Sequence, residues 1–523
     1  MSKRTEEYFT KPPQPYWIAS TANTDYPSLD NDIETDVAIV GGGITGILCA
    51  YWLSKGRVKT AIIEADRILQ GTTGHTTAKI TSQHGLIYNK MQKISKEFAQ
   101  QYADANQTAI KMYESLAKEY NIECDFVLQP AYVFTFEDKY VKDIADEVNT
   151  ASSLGIVATH LENIPLPFDV KAAIRFDNQA QFHPRKFLLV LAGKITDNGV
   201  QIFEQSRIVD LEDNGDTGGY VLTTNKGTKV TAQRVIIASH YPFYNKHGLY
   251  FTKIYSERSY VIATRMKEKF PGGMYITAEE PGRSLRSQTS DQGELVFVVG
   301  EHHKTGQGED TVKHYETLVN FAEQNFTVED IPYRWSTQDC MTLDGLPYVG
   351  QFTTNTPNLY VATGYGEWGM TNSMASSMIL RDLIVHGKSS WQDVYNPSRE
   401  TIMASAKNFV VQNLNVADQL VEGKLSFIPR NVEIKSDEGK IIEAEGQRAG
   451  VYKDGQGTLH IVNTTCTHMG CEINWNSAEK TWDCPCHGSR FTYEGDIVEG
   501  PALKPLDIHN EVNTIEKLIK EDY

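Results

Sequence analysis

The apolar residues between positions 36 and 65 fall into three stretches. Asp36-Val-Ala-Ile-Val40 is a short continuous run, Ile44 to Gly56 is a longer helical stretch opened by glycines, and Lys59-Thr-Ala-Ile-Ile-Glu-Ala65 is a second run. Short apolar runs bounded by turn residues predict strands, so the three stretches predict one strand-helix-strand unit. Comparable runs recur at Arg234–His240, Glu294–Gly300 and Asn358–Gly364, spread over the next three hundred residues. A nucleotide-binding domain interrupted by an inserted substrate domain gives that pattern. Residues 397–422 predict a helix, and the short segments with Gly-Asp turns after it predict a small β domain. The expected architecture is an α/β Rossmann-like domain with an α+β insert (residues 1–390), a helical linker (391–424) and a small all-β domain (425–523).

Length and charge narrow the picture. The chain has 523 residues, enough for more than one domain, and 67 acidic against 50 basic side chains give a net charge of −17. That field repels phosphate backbones and removes nucleic acid from the expected partners. The longest uncharged stretch, Val37–Leu53, contains three consecutive glycines and is shorter than the about 20 apolar residues of a spanning helix. No transmembrane segment is predicted. The start MSKRTEEYFT is charged and has no apolar core, so no secretory signal is predicted and the expected location is cytoplasmic.

Gly41-x-Gly43-x-x-Gly46 lies between the first strand and its helix, where backbone N–H groups face a pyrophosphate, and Glu64 ends the next strand, where a carboxylate accepts from a ribose. This combination predicts a dinucleotide. Beyond it, Gly71-Thr72-Thr73-Gly74-His75, Asp344-Gly345-Leu346-Pro347 and the second glycine turn, Gly364-Tyr-Gly366-Glu-Trp-Gly369, make residues 33–388 resemble the D-amino acid oxidase superfamily, which includes glycine oxidase, sarcosine oxidase and dimethylglycine dehydrogenase. The resemblance implies FAD, held by Gly41, Gly43, Gly46, Glu64, Thr72, Thr73, His75, Gly364, Gly366 and Gly369. It also implies hydride transfer from a C–H beside an amine of a small-molecule substrate. His75 occupies the place of a histidine that in some relatives is covalently joined to the flavin; covalent linkage and plain hydrogen bonding both stay open. The strand ending Ala238-Ser239-His240 departs from the family by lacking its usual glycine.

No catalytic residue follows with certainty from these motifs, and the candidates are Asp339, Arg258 and His302. In amino-acid-oxidising relatives an arginine before the Asp-Gly-x-Pro block holds the substrate carboxylate. Counting back to Trp335 puts Asp339 at that position, which points away from a simple amino acid and toward an amine or another cation. The alternative for Asp339 is a solvated or ion-paired loop residue, with Arg334 as partner. Arg283, Arg286 and His303 are further pocket candidates, each also readable as a fold residue. His183 precedes Pro184 and reads as a helix-cap neighbour.

Near the C-terminus, Cys466-Thr-His468-Met-Gly-Cys471 and Cys484-Pro-Cys486-His487-Gly-Ser489 offer two thiolates and two imidazoles as ligands on two loops. Tetrahedral zinc and a [2Fe-2S] cluster both use such sets, but zinc sites favour about two to four residues between paired ligands. Cys-x-His with Cys-Pro-Cys-His-Gly-Ser resembles the Rieske signature over residues 425–507. The resemblance implies Cys466 and Cys484 on one iron, His468 and His487 on the other, a Cys471–Cys486 disulfide, and histidine edges near solvent. High-potential members carry a tyrosine two residues after the serine; here Phe491 stands there, which predicts a lower potential unless Tyr493 substitutes. An FAD-dependent dehydrogenase passing electrons singly to a redox partner protein or quinone fits this combination. Reverse flow from a reductase, or a redox sensor with a regulatory Rieske module, are the alternatives.

Overall fold

The computed structural model describes residues 7–215, 218–308, 310–399, 406–425, 433–444 and 447–508. Its central sheet has the strand order Tyr348–Gln351, Leu359–Thr363, Lys229–Ile237, Ile33–Val40, Thr60–Ile63, Gln201–Phe203, with Ile208–Asp213 and Tyr220–Thr224 added beside it. Val37–Val40 run parallel to Thr60–Ile63 on one side and to Arg234–Ile237 on the other. A strand in that position is covered on both faces, which is why it reads as an apolar run and not as an alternation. Helices Ile44–Lys55 and Gly369–His386 pack together against this sheet in the largest apolar core.

The insert forms a nine-stranded sheet in the order Val328–Thr342, Ile254–Met266, Gly293–Lys304, Arg283–Ser290, Met274–Thr277, Val127–Thr135, Ala172–Gln181, Lys79–Ile80, with Ala158–Leu161 on Ala172–Gln181. The apolar run at 294–300 belongs here and not to the nucleotide-binding sheet. The first three strands of this order carry Asp339, Arg258 and His302, in a register that puts Glu257 directly opposite Asp339 and also opposite Lys304.

The expected helix over 397–422 is Ala406–Leu425, with residues 400–405 outside the described ones. Asn413 Nδ2 donates to Thr252 O at 3.1 Å and Asn408 Nδ2 to Leu343 O at 2.9 Å, while Val416 and Leu420 pack on the core of the small β domain. The helix therefore touches both neighbours. That β domain has a three-stranded sheet, Glu438–Ala444, Gln447–Lys453 and Leu459–Asn463, and a four-stranded one, Asn474–Asn476, Thr481–Asp483, Arg490–Thr492 and Ile497–Glu499. Among the described residues no helix is long and apolar enough to cross a membrane.

Candidate active site and metal centre

A cavity of about 590 Å³ is lined by Gly41, Gly43 and Glu64 of the first strand-helix-strand unit, by Thr72, Thr73 and His75, and by Gly366, Glu367 and Gly369 of the second glycine turn. Gly41 has φ +112°, and a Cβ there would lie 2.5 Å from Ala238 O, so only glycine lets the chain turn beneath that strand end. Gly46 is off the cavity. A Cβ on it would meet Gly41 O at 2.0 Å, so it serves the close approach of helix and turn. Glu64 accepts from Gly42 N at 2.6 Å and Asp66 N at 3.0 Å, and burial raises its pKa. Thr73 Oγ1 accepts from Ile44 N at 3.0 Å and ties the 71–75 loop to the helix N-terminus. His75 Nδ1 lies 2.9 Å from Gly71 O, to which it donates, leaving Nε2 as the nitrogen available to a ligand; burial lowers its pKa.

The opposite chemistry comes from the insert. His302 Nδ1 pairs with Glu367 at 2.7 Å. Burial alone would lower the histidine, but Glu367, Glu280 and Asp339 hold it at about 9, so it is protonated at neutral pH. Asp339 lines the cavity in the charged company of Glu367, His302 and Glu257. Burial, then Glu367 and Glu257, push its carboxyl well above the usual range. Arg334 is not its partner: that guanidinium donates to Lys11 O at 2.6 Å and stacks on Phe9. Arg258 lines the cavity, whereas Arg283, Arg286 and His303 do not. Arg283 pairs with Glu301, Arg286 donates to Thr77 O and Ala78 O beneath Trp17 and Phe297, and His303 stacks on His314 and Tyr260. His183 is the N-cap of helix Pro184–Asp197, its Nδ1 accepting from Lys186 N at 3.3 Å.

In the small domain the two cysteine-histidine loops meet. The His468 and His487 rings lie 5.0 Å apart at 90°, and Cys471 and Cys486 are joined as a disulfide. The disulfide withdraws those two sulfurs from the nearby Cys484, leaving Cys466 and Cys484 as the thiol pair. The two thiols hydrogen-bond to each other, and the Cys484 thiol, with the Ser489 hydroxyl and backbone amides helping, lowers the pKa of Cys466. Burial holds His468 at about 4 and His487 at about 3, neutral imidazoles ready to ligate.

Residues 36–383 match the family described as FAD dependent oxidoreductase, and residues 426–515 match the Rieske [2Fe-2S] domain. The chain belongs to the FAD dependent oxidoreductase family. It is 41% identical over 503 residues, 96% of this chain and 98% of the relative, to the putative Rieske 2Fe-2S iron-sulfur protein YhfW of Bacillus subtilis (strain 168). Over 89 residues, 17% of this chain and 45% of the relative, it is 36% identical to the cytochrome b6-f complex iron-sulfur subunit of Chlorobaculum thiosulfatiphilum. Its fold is similar to that of glycine oxidase from Geobacillus kaustophilus, with TM-score 0.59 at 18% identity over 70% of this chain and 99% of that one.

FAD and a Rieske [2Fe-2S] cluster are the cofactors of this oxidoreductase, and the residues present suit both. Gly41 admits no side chain where the pyrophosphate would pass. The Nδ1 atoms of His468 and His487 are buried without a hydrogen-bond partner, a state that metal ligation relieves.

The expectation of solvent-facing histidine edges is overturned for His487, while His468 is half-buried. His487 is 3% exposed: its carbonyl accepts from Ser256 Oγ at 3.1 Å and its ring packs on Phe251. The Rieske tip is seated on the FAD-binding half of the chain. Gly306 makes this fit close, since a Cβ there would lie 2.7 Å from the Cys484 and Pro485 backbone. Gln338, a cavity residue, donates through Nε2 to Gly488 O at 2.9 Å, while its own carbonyl lies 3.0 Å from His240 Nε2. In return, Glu499 and Arg490 of the Rieske domain line the cavity. Asp483, Arg490, Glu499 and Arg258 form a chain of ion pairs at 3.0, 2.7 and 3.1 Å across the boundary. Sequence reasoning missed Gln338, Glu367, Glu499, Arg490 and Asn245, because no local spacing marks them. Glu367 alone stood inside a quoted motif.

Proposed function

We propose that this oxidoreductase is a dehydrogenase of an amine-type substrate, which gives up a hydride from the C–H beside its nitrogen and whose electrons leave singly for an external redox protein or quinone. When bound, FAD would supply the hydride acceptor and the cluster a carrier of single electrons. The observation that carries the reading is the seating of the Cys484–Ser489 loop on the cavity wall through Gln338. A regulatory module would need no such contact between a cluster loop and the flavin cavity.

Asp339 supports the substrate class. A carboxyl held toward its neutral form by burial and by Glu367 and Glu257 is stabilised as an anion by an incoming cation, which favours an amine over a carboxylate. The role of His302 is to hold Glu367 in place by their ion pair. His75 would approach the flavin through Nε2, and acid denaturation tests whether that contact is a covalent bond: the yellow colour stays with the polypeptide if it is. Met469, beside His468 and 48% exposed, offers the acceptor an approach to the Rieske tip. A cytoplasmic location belongs to the same reading and is checked by cell fractionation.

The test is anaerobic stopped-flow spectroscopy with a panel of amines. The expected result is loss of flavin absorbance first and cluster reduction second. Cluster reduction by a reductase ahead of the flavin, with no response to any amine, would overturn the reading in favour of reverse flow.

A further inference from the structure

We infer that Asn245, a residue of the FAD-binding half, is the hydrogen-bond acceptor of the cluster ligand His468 and thereby sets the redox potential of the cluster. This rests on the reading that the two loops hold a Rieske cluster. Three observations converge. Asn245 Nδ2 lies 3.0 Å from His468 Nε2, across a sequence separation of 223 residues. Asn245 Oδ1 is buried without a partner, and so is His468 Nδ1.

A neutral imidazole carries one N–H and one lone pair. With Nδ1 turned inward as the ligand atom, the proton sits on Nε2, and Nε2–H must donate. An amide nitrogen facing it would set two donors against each other while Oδ1 stayed buried and unpaired. The amide turned by 180° about its terminal bond exchanges atoms of nearly equal size and puts Oδ1 on Nε2–H. The turn ends the opposition of two donors and pairs Oδ1, with Nδ2 taking the place that Oδ1 held.

An acceptor on the far nitrogen fixes the ring and raises its basicity as a ligand. A more basic ligand favours the oxidised, more positive cluster, so Asn245 holds the potential down. Since Asn245 lies in the segment between the strand Lys229–Ile237 and Thr252, the hydrogen bond forms only while the tip is seated on the FAD-binding half. The seated and unseated cluster then differ in potential.

The experiment is a redox titration at constant pH, followed by electron paramagnetic resonance, on the full-length protein with iron and flavin content measured first. Asn245→Ala removes the acceptor and is expected to raise the potential. Asn245→Asp, nearly isosteric, offers a stronger acceptor and is expected to lower it, with flavin content unchanged in both. A purely structural role, in which either change merely unseats the tip, would move both variants the same way. Shifts of one sign, or no shift, in protein holding about two irons per chain would overturn the inference. Wild-type protein with neither iron nor a Rieske signal would instead overturn the reading of the loops on which it rests.

Discussion

The two cofactor sites draw their walls from very different lengths of chain. All four proposed cluster ligands lie between Cys466 and His487, on two loops of one small domain closed by the Cys471–Cys486 disulfide. The flavin cavity takes residues from Ile18 to Leu503, and Arg490 and Glu499 enter it from the other domain. A site of the first kind is complete within its own domain. One of the second kind depends on how two domains sit, so a change in the Rieske domain can reach the flavin cavity without touching a flavin residue.

The largest expected effect attacks the local site. His468→Ala or His487→Ala should abolish the Rieske signal entirely and leave FAD content and absorbance in place, as measured by paramagnetic resonance and visible spectroscopy. Stoichiometric zinc in protein made with ample iron would contradict the ligand assignment.

Next comes the boundary. Glu499 is the anion between two guanidiniums: burial would raise its pKa, but Arg258 and Arg490 hold it at about 2 against an ordinary 4.5. Because the folded value is depressed, the contact is fully present above the ordinary value and is lost as pH falls from 4.5 toward 2. Glu499→Gln leaves Arg258 without its ion-pair partner, while Arg490 keeps Asp483, and should cost about 3–5 kcal/mol. Calorimetry should show a lower transition at neutral pH and a smaller loss on acidification. An unchanged transition with the wild-type acid dependence would mean that the cavity does not rely on the boundary.

Asp339 sharpens the comparison within the cavity. Asp339→Asn keeps the shape and removes the carboxyl that a bound cation would ionise, so kcat/KM for a cationic amine should fall about 10–100-fold, mostly through KM, the range of one hydrogen bond to a charged group. Equal kcat/KM in variant and wild type would remove Asp339 from substrate binding.

The smallest effect returns to the cluster. Tyr493 packs on Tyr452 and His460, so it does not take the place left by Phe491, which is buried. Phe491→Tyr should therefore raise the cluster potential, since hydrogen bonds toward the sulfurs favour the reduced state. A lowered or constant potential would contradict this.

What could be read without the structure follows the range of the forces involved. The first strand-helix-strand unit, the glycine turns and the cysteine-histidine loops were legible because backbone freedom, strand burial and ligand spacing act between near neighbours in the chain. His183 as a cap was legible for the same reason. Arg283, Arg286 and His303 were candidates on charge and position alone. An apolar run does not tell which face of a strand meets the cavity, and each of the three turned out to be held by neighbouring strands or rings.

By itself the sequence determined the two domain types and their cofactors and supplied the proposed ligand set of the cluster, since these need only residue type at short spacing. Tertiary structure decided that His487 is turned inward, that Glu499 and Arg490 line the flavin cavity, and that Asp339 faces it. It also decided that Asn245 meets His468. Those outcomes depend on the packing of surfaces separated by hundreds of residues, where Gly306 leaves room for the Cys484–Pro485 backbone and Gln338 spans the remaining gap, and no local pattern encodes that fit.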